Sequence, residues 1–180
     1  LFGIIGNPIK HSLSPVLHKY WFDKYDLDAS YSIIEAKDED LKDIVKKIRS
    51  HELIGINVTL PFKQKIINQT DKIVNDAELT GSVNTILLDN DKIVGENTDV
   101  FGLQAAYLKE IDSSIHKSAL IIGAGGVSSS VILSLNKSGI KEISITNRTN
   151  EKCIFLKKRF SYLNIASWKN LKDEIKKFLY

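Results

Sequence analysis

Between Ser118 and Thr146 an apolar run, Ser118–Ile122, enters a glycine corner, Gly123-Ala124-Gly125-Gly126. The chain continues as a helical stretch over 126–138 and then a second β-rich run, Glu142–Thr146. Strand, glycine turn, helix and strand within about thirty residues open a doubly wound parallel sheet, because a crossover helix returns the chain parallel to the strand it left, with right-handed sense. The corner fits the pattern G-x-G-x-x-small through Gly123, Gly125 and Ser128. Gly123 allows the tight turn and Gly125 lets backbone approach a pyrophosphate. Ser128 permits close helix–strand packing, although glycine or alanine is usual there. Unpaired N–H groups at the helix start complete a phosphate cradle. The bland alternative is a glycine-rich corner that binds nothing; the flanking strands and the helix favour the nucleotide.

The end of the second strand separates NAD from NADP. An acidic residue there binds a ribose 2′-hydroxyl, but this chain has Asn147-Arg148-Thr149, with Lys152 close behind. Arg148 and Lys152 can neutralise a 2′-phosphate and Thr149 can donate a hydrogen bond to it. The expected cofactor is NADP. Asn147 and Thr149 can also cap the next helix, and the two roles are compatible.

Upstream, 2–6 reads as a buried strand closed by Gly6-Asn7-Pro8. Ser14-Pro15 opens a helix to about Tyr25, with Ser14 as its cap and Pro15 at its first position. Tyr31–Glu35 is a second strand. Leu41, Ile44, Val45 and Ile48 mark an amphipathic helix over 38–50, and 53–58 is a third strand. Pro61 is expected to open a helix to Ile67. Residues 83–88 and 92–96 form a hairpin around Asp89-Asn90-Asp91. Helices are expected over 101–108, over 150–160 and through the last fifteen residues. The reading is therefore α/β: an N-terminal domain over 1–100, then a partial doubly wound, Rossmann-type domain over 101–180. With two confident strands and a helical end, the second domain is short, and the chain starts at Leu1 already in a strand. Both features suggest a piece of a longer protein.

The bulk numbers exclude several classes. At 180 residues and 43% hydrophobic content the chain can build a sizeable core. Its net charge of +3 comes with lysines scattered along helical faces and no basic stripe interleaved with aromatics, which argues against nucleic acid. The apolar runs are too short to span a membrane. Cys153 alone cannot form an internal disulfide or a multi-cysteine metal site, and it fits a cytoplasmic setting.

Chemistry in the first half centres on Asn57-Val58-Thr59-Leu60-Pro61-Phe62-Lys63, which places a lysine just beyond an apolar strand. Ser12 and Ser14 put two hydroxyls before a helix, where they can hold a carboxylate or simply cap. Asn84 can bind a ligand hydroxyl or brace a turn, and Asp99 can pair with a lysine or cap a helix. A lysine, a carboxylate and a nucleotide cradle together suggest redox chemistry at a carbon bearing oxygen.

With Gly81-Ser82-Val83-Asn84-Thr85 and Gly95-Glu96-Asn97-Thr98-Asp99, these motifs stand in the order and spacing of one family. The sequence resembles the shikimate dehydrogenases, which reduce 3-dehydroshikimate with NADPH on the way to chorismate and the aromatic amino acids. The resemblance implies that Ser12 and Ser14 hold the substrate carboxylate, and that Thr59, Asn84, Thr98 and Asp99 bind its ring hydroxyls. Lys63 and Asp99 become the catalytic pair. Gly123, Ala124, Gly125, Gly126 and Val127 hold the pyrophosphate, while Asn147, Arg148, Thr149 and Lys152 hold the 2′-phosphate. No metal is implied, and the protein is expected to be a monomer or homodimer.

The chain departs from the family pattern in four places. Phe62 stands where histidine is also common, Val100 where glycine is usual, and Lys152 where arginine is frequent. The family's further cofactor-domain strands and returning helix are missing. The rival readings are a quinate/shikimate dehydrogenase with broader substrate or NAD use, and a non-catalytic sensor of shikimate-type acids. Retention of both Lys63 and Asp99 speaks against the sensor.

Overall fold

Alternation along short strands decides which side chains of the first half become core. The computed structural model describes residues 1–111 and 117–178, divided into two units, Leu1–Asn97 and Thr98–Tyr180. Among the described residues no helix is long and apolar enough to cross a membrane.

The first unit contains β1 (Phe2–Gly6), α1 (Ser14–Lys24), β2 (Tyr31–Glu35), α2 (Leu41–Arg49), β3 (Gly55–Val58), β4 (Lys72–Ile73), α3 (Asp76–Thr80), β5 (Thr85–Asp89) and β6 (Lys92–Glu96). Its strands form one sheet in the order β2-β1-β3-β5-β6-β4. β1 runs parallel to β2 and β3, while β5 is antiparallel to β3 and β6. Register pairs Ile5 with Ile34 and Val58, and Ile56 with Ile86. Paired residues share a face and neighbours along a strand alternate, so these five lie on one side. There they meet Leu41, Ile44, Val45 and Ile48 of α2, with Phe62, Ile66 and Val83, in a single buried cluster. The opposite face carries Tyr31, Asn57, Thr59 and Thr85.

The hairpin turn is as expected: Asn90 and Asp91 both take positive φ, 48° and 61°, which is the geometry of a two-residue turn that matches strand twist. Asp71 ties β4 to β6. Its carboxylate accepts from the Ile93 N–H at 2.6 Å and from the Arg49 guanidinium at 2.7 and 2.8 Å. Those bonds, the backbone one first, hold its carboxyl below the usual range.

Some expected helices are shorter or of another kind. Pro61 opens no α-helix; turns over 60–64 lead into a 3-10 segment, Lys65–Gln69. The reason is that the Lys63 carbonyl accepts from the Val83 N–H at 2.8 Å, so it is diverted from the helical ladder. Ser14 is not the cap of α1 but lies within its first turn. The oxygen that meets the helix start is Ser12 Oγ, which accepts from the Ser14 N–H at 3.2 Å. The expected C-terminal helix reduces to Leu171–Lys176, and residues 179–180 of that expectation lie outside the described residues.

The second unit contains α4 (Asp99–Ala106), β7 (Ser118–Ile122), α5 (Ser128–Lys137), β8 (Glu142–Thr146), α6 (Asn150–Arg159), β9 (Asn164–Ile165) and α7 (Leu171–Lys176). Its sheet is parallel throughout, in the order β7-β8-β9. Ile132, Ile143, Ile145, Cys153, Leu156 and Leu163 fill its core with Val100 of α4. Ser134 Oγ of α5 donates to the Val100 carbonyl at 3.1 Å, which fixes α4, and with it Asp99, to this unit.

Ile86, fully buried at the centre of the first cluster, sets a test. Ile86→Ala should lower stability by about 2–5 kcal/mol and Ile86→Val by about 1 kcal/mol, read from denaturant midpoints. Equal losses for the two variants would deny that packing volume there is what matters.

Candidate active site

In the first unit, two sets of hydrogen-bonded polar side chains stand out: a serine pair at the start of α1 and a chain on the sheet face away from the core. The Ser12 hydroxyl donates to Ser14 Oγ at 3.1 Å. The Tyr31 hydroxyl donates to Asn57 Oδ1 at 2.7 Å. Asn57 Nδ2 donates to Thr85 Oγ1 at 3.2 Å and is 3.5 Å from the Asn84 carbonyl. The Thr85 hydroxyl then donates to Asn84 Oδ1 at 3.1 Å. Every member is half-buried, so the chain is wet at its edge and sheltered beneath.

Local sequence explains how these groups come together. Asn57 is register-paired with Ile4 of β1 and Thr85 of β5. Tyr31 pairs with Phe2 on the same face and reaches across β1. The His18 ring of α1 stacks on Tyr31 with centroids 4.1 Å apart and planes within 7°, which limits how the phenol can swing. Gly6 also lies on this face. A Cβ there would come within 2.7 Å of the Thr59 methyl and 2.8 Å of Ile9, so only glycine lets Thr59 sit where it does.

Asn84 is held from behind. Asn97, buried, donates to the Ser82 carbonyl at 2.8 Å and to Thr80 Oγ1 at 3.2 Å. The Asn84 carbonyl and N–H are engaged by the Val58 N–H and the Glu96 carbonyl. Lys63 is half-buried, its backbone fixed by the bond from Val83.

Ser12 and Ser14 are thus paired as expected residues, and Asn84 is joined to three residues to which the sequence assigns no role: Tyr31, Asn57 and Thr85. Asn57 stood in the quoted motif, and the polar face of an alternating strand was the signal that could have flagged it. Thr98 and Asp99 belong to the second unit, where Asp99 opens α4 and is half-buried.

The second unit places the glycine corner between β7 and α5. Gly123 has φ +114°, a conformation that favours glycine. Its N–H donates to the Thr146 carbonyl at 2.8 Å, and its carbonyl accepts from Ser128 Oγ at 3.1 Å. Gly125, Gly126 and Val127 are exposed at the helix start, and a Cβ at Gly125 would meet nothing within 4 Å. That open approach, the absence of acidic residues in the first turn of α5 and the helix dipole suit a dinucleotide's phosphates. Asn147 joins the corner to the next loop: Oδ1 accepts from the Ala124 N–H at 3.2 Å, and Nδ2 donates to the Thr149 carbonyl at 2.9 Å. Arg148, Thr149 and Lys152 are exposed around the start of α6, and Thr149 precedes that helix without a side-chain cap bond.

Residues 4–86 match the family model described as the shikimate dehydrogenase substrate binding domain, and residues 106–178 match that of shikimate / quinate 5-dehydrogenase. The chain belongs to the shikimate dehydrogenase family. It is 44% identical over 167 residues to the shikimate dehydrogenase (NADP(+)) of Pelagibacter ubique (strain HTCC1062), an overlap of 93% of this chain and 63% of that protein. Among solved structures, it resembles the shikimate dehydrogenase of Aquifex aeolicus with TM-score 0.89 and 38% identity, over 98% of this chain and 65% of that one. The Listeria monocytogenes shikimate 5-dehydrogenase, solved in complex with shikimate and NAD, gives TM-score 0.87 and 32% identity, over 98% and 64%. The chain therefore spans a little under two thirds of these family members.

Burial of Tyr31 pushes its phenol up to about 12, with the Ser14 hydroxyl opposing. The folded state thus keeps the proton longer than the unfolded chain, whose phenol titrates near its ordinary 10.0. The stability from this group is complete below the unfolded value and is lost as pH rises through the folded one. Thermal midpoints across that alkaline window should fall less steeply for Tyr31→Phe than for wild type; parallel curves would deny the shift.

Proposed function

We propose that the complete protein is an NADP-dependent shikimate dehydrogenase. It would interconvert shikimate and 3-dehydroshikimate at the ring hydroxyl next to the alkene, in aromatic amino acid (chorismate) biosynthesis in the cytoplasm, as a monomer or homodimer. The observation that supports this most is that one unit holds both the paired hydroxyls of Ser12 and Ser14, suited to a carboxylate, and an Asn84 amide braced through Thr85 and Asn57, suited to ring hydroxyls.

In this reading Ser12 and Ser14 donate to the substrate carboxylate, and Thr59, Asn84, Thr98 and Asp99 bind ring hydroxyls. Lys63 takes the hydroxyl proton as the alcohol is oxidised and returns it to the developing alkoxide in the reverse direction. Asp99 orients the ammonium. The chemistry supplied by bound NADP is hydride acceptance, and hydride return in reverse. The backbone of Gly123, Ala124, Gly125, Gly126 and Val127 would face the pyrophosphate. Asn147 would brace that corner, and Arg148, Thr149 and Lys152 would meet the 2′-phosphate.

NAD use is the second reading, favoured by the NAD found with the Listeria enzyme. It is weakened by the basic pair Arg148 and Lys152 and by the cofactor named for the Pelagibacter relative.

Shikimate oxidation by the complete protein, followed by nicotinamide absorbance, tests the proposal. Lys63→Ala should lower kcat by about 10²–10⁴-fold while shikimate affinity changes far less; a proportional loss of both would remove its proton-transfer role. Arg148→Ala should raise KM for NADP by about tenfold or more and leave KM for NAD unchanged. Equal effects on the two cofactors would undo the NADP assignment.

A further inference from the structure

Asn84 ends a series of hydrogen-bonded side chains, and the sheet backbone decides which way their bonds run. Amides and hydroxyls in a row can point in either sense, since each both donates and accepts. Here Asn57 Nδ2 lies 3.5 Å from the Asn84 carbonyl. A main-chain carbonyl only accepts, so that edge of the Asn57 amide has to be its nitrogen. The carbonyl is itself held by the Val58 N–H at 2.8 Å. The Asn57 oxygen then falls to the Tyr31 hydroxyl, which donates to it at 2.7 Å. Thr85 Oγ1 receives from Asn57 Nδ2 at 3.2 Å and gives its one proton to Asn84 Oδ1 at 3.1 Å. Asn84 therefore turns its oxygen to Thr85 and its amide nitrogen to the other side.

We infer that Thr85 is a positioning residue: it holds Asn84 so that the amide presents N–H donors, not its oxygen, to the substrate's ring hydroxyls. The inference rests on the proposed function. A hydroxyl met by an N–H accepts there and keeps its own proton for an acceptor; the opposite amide orientation would claim that proton. Threonine suits the place because β-branching stiffens its χ1, and register sets it opposite Asn57. The Asn84 backbone is pinned on both sides, its N–H donating to the Glu96 carbonyl at 3.0 Å and its carbonyl held by Val58. What remains to be fixed is the turn of the amide, and the Thr85 proton fixes it. An amide free to turn would present its nitrogen only part of the time, and affinity would fall with that fraction.

Thr85→Val keeps the shape and removes the hydroxyl. In the complete protein it should raise KM for shikimate about three- to tenfold, the worth of one neutral hydrogen bond. It should change kcat less, and leave KM for NADP unchanged. Thr85→Ser, which keeps the hydroxyl, should recover most of the loss. In an Asn84→Ala background Thr85→Val should cost nothing further, because it acts through that amide. Asn57→Asp tests the sense of the series. Its carboxylate has no proton to give and takes that of Thr85, which is left to accept from Asn84 and so draws the amide nitrogen away from the substrate. Its KM for shikimate should rise, and by more with Asn84 present than in the Asn84→Ala background. Unfolding midpoints report whether the variants are folded.

A shikimate KM unaltered by Thr85→Val, a Thr85→Ser variant no better than Thr85→Val, or the same rise with and without Asn84 would overturn the role of Thr85. An Asn57→Asp variant with the KM of wild type would overturn the sense assigned to the series, and the inference with it. If the wild-type protein oxidises no shikimate, the proposed function and this inference fall together; turnover with additive losses at Thr85 and Asn84 removes only the inference.

Discussion

The period-two alternation of β3 is the constraint on which the first unit depends. Ile56 and Val58 point to the core, so Asn57 and Thr59 must point away from it. The two-sided demand leaves β3 no freedom of register, because a slip of one residue would bury the asparagine and expose the isoleucine. The polar face is therefore fixed by the hydrophobic one. Its hydrogen bonds need contribute little to overall stability to be well ordered, since the packing of Ile5, Ile34 and Ile86 holds their donors and acceptors in place.

The fold was largely legible where period or turn chemistry was strong. The spacing of Leu41, Ile44, Val45 and Ile48 marked α2, alternating apolar runs marked the strands, and the Asp89-Asn90-Asp91 turn marked the hairpin. What escaped were short elements stabilised by partners distant in sequence. β4 and β9 have two residues each and no pattern of their own. The helix expected after Pro61 gave way to turns because the Lys63 carbonyl is claimed by Val83, a partner that local propensity does not register.

The candidate site was legible through its motifs more than through its contacts. Ser12, Ser14, Lys63 and Asn84 were marked by family resemblance, and the glycine corner by its place between strand and helix. Tyr31 was not, and Thr85 stood in a matching motif without a role of its own, since each reads as an ordinary strand residue. Their significance comes from cross-strand register, which places Thr85 opposite Asn57 and brings the Tyr31 oxygen over β1. Asn97 shows the converse: a residue in a recognisable motif whose side chain braces a turn from behind.

The double bond made by Asn147 has a consequence for how cofactor preference could change over time. One amide fastens the glycine corner to the loop that carries Arg148, so the part facing a pyrophosphate and the part facing a 2′-phosphate are mechanically one piece. Substitutions at Arg148 or Lys152 can alter charge without disturbing that piece. A substitution at Asn147 would loosen both contacts together. Drift toward the other dinucleotide is therefore easiest through the exposed basic residues, with the asparagine left as an anchor common to either preference.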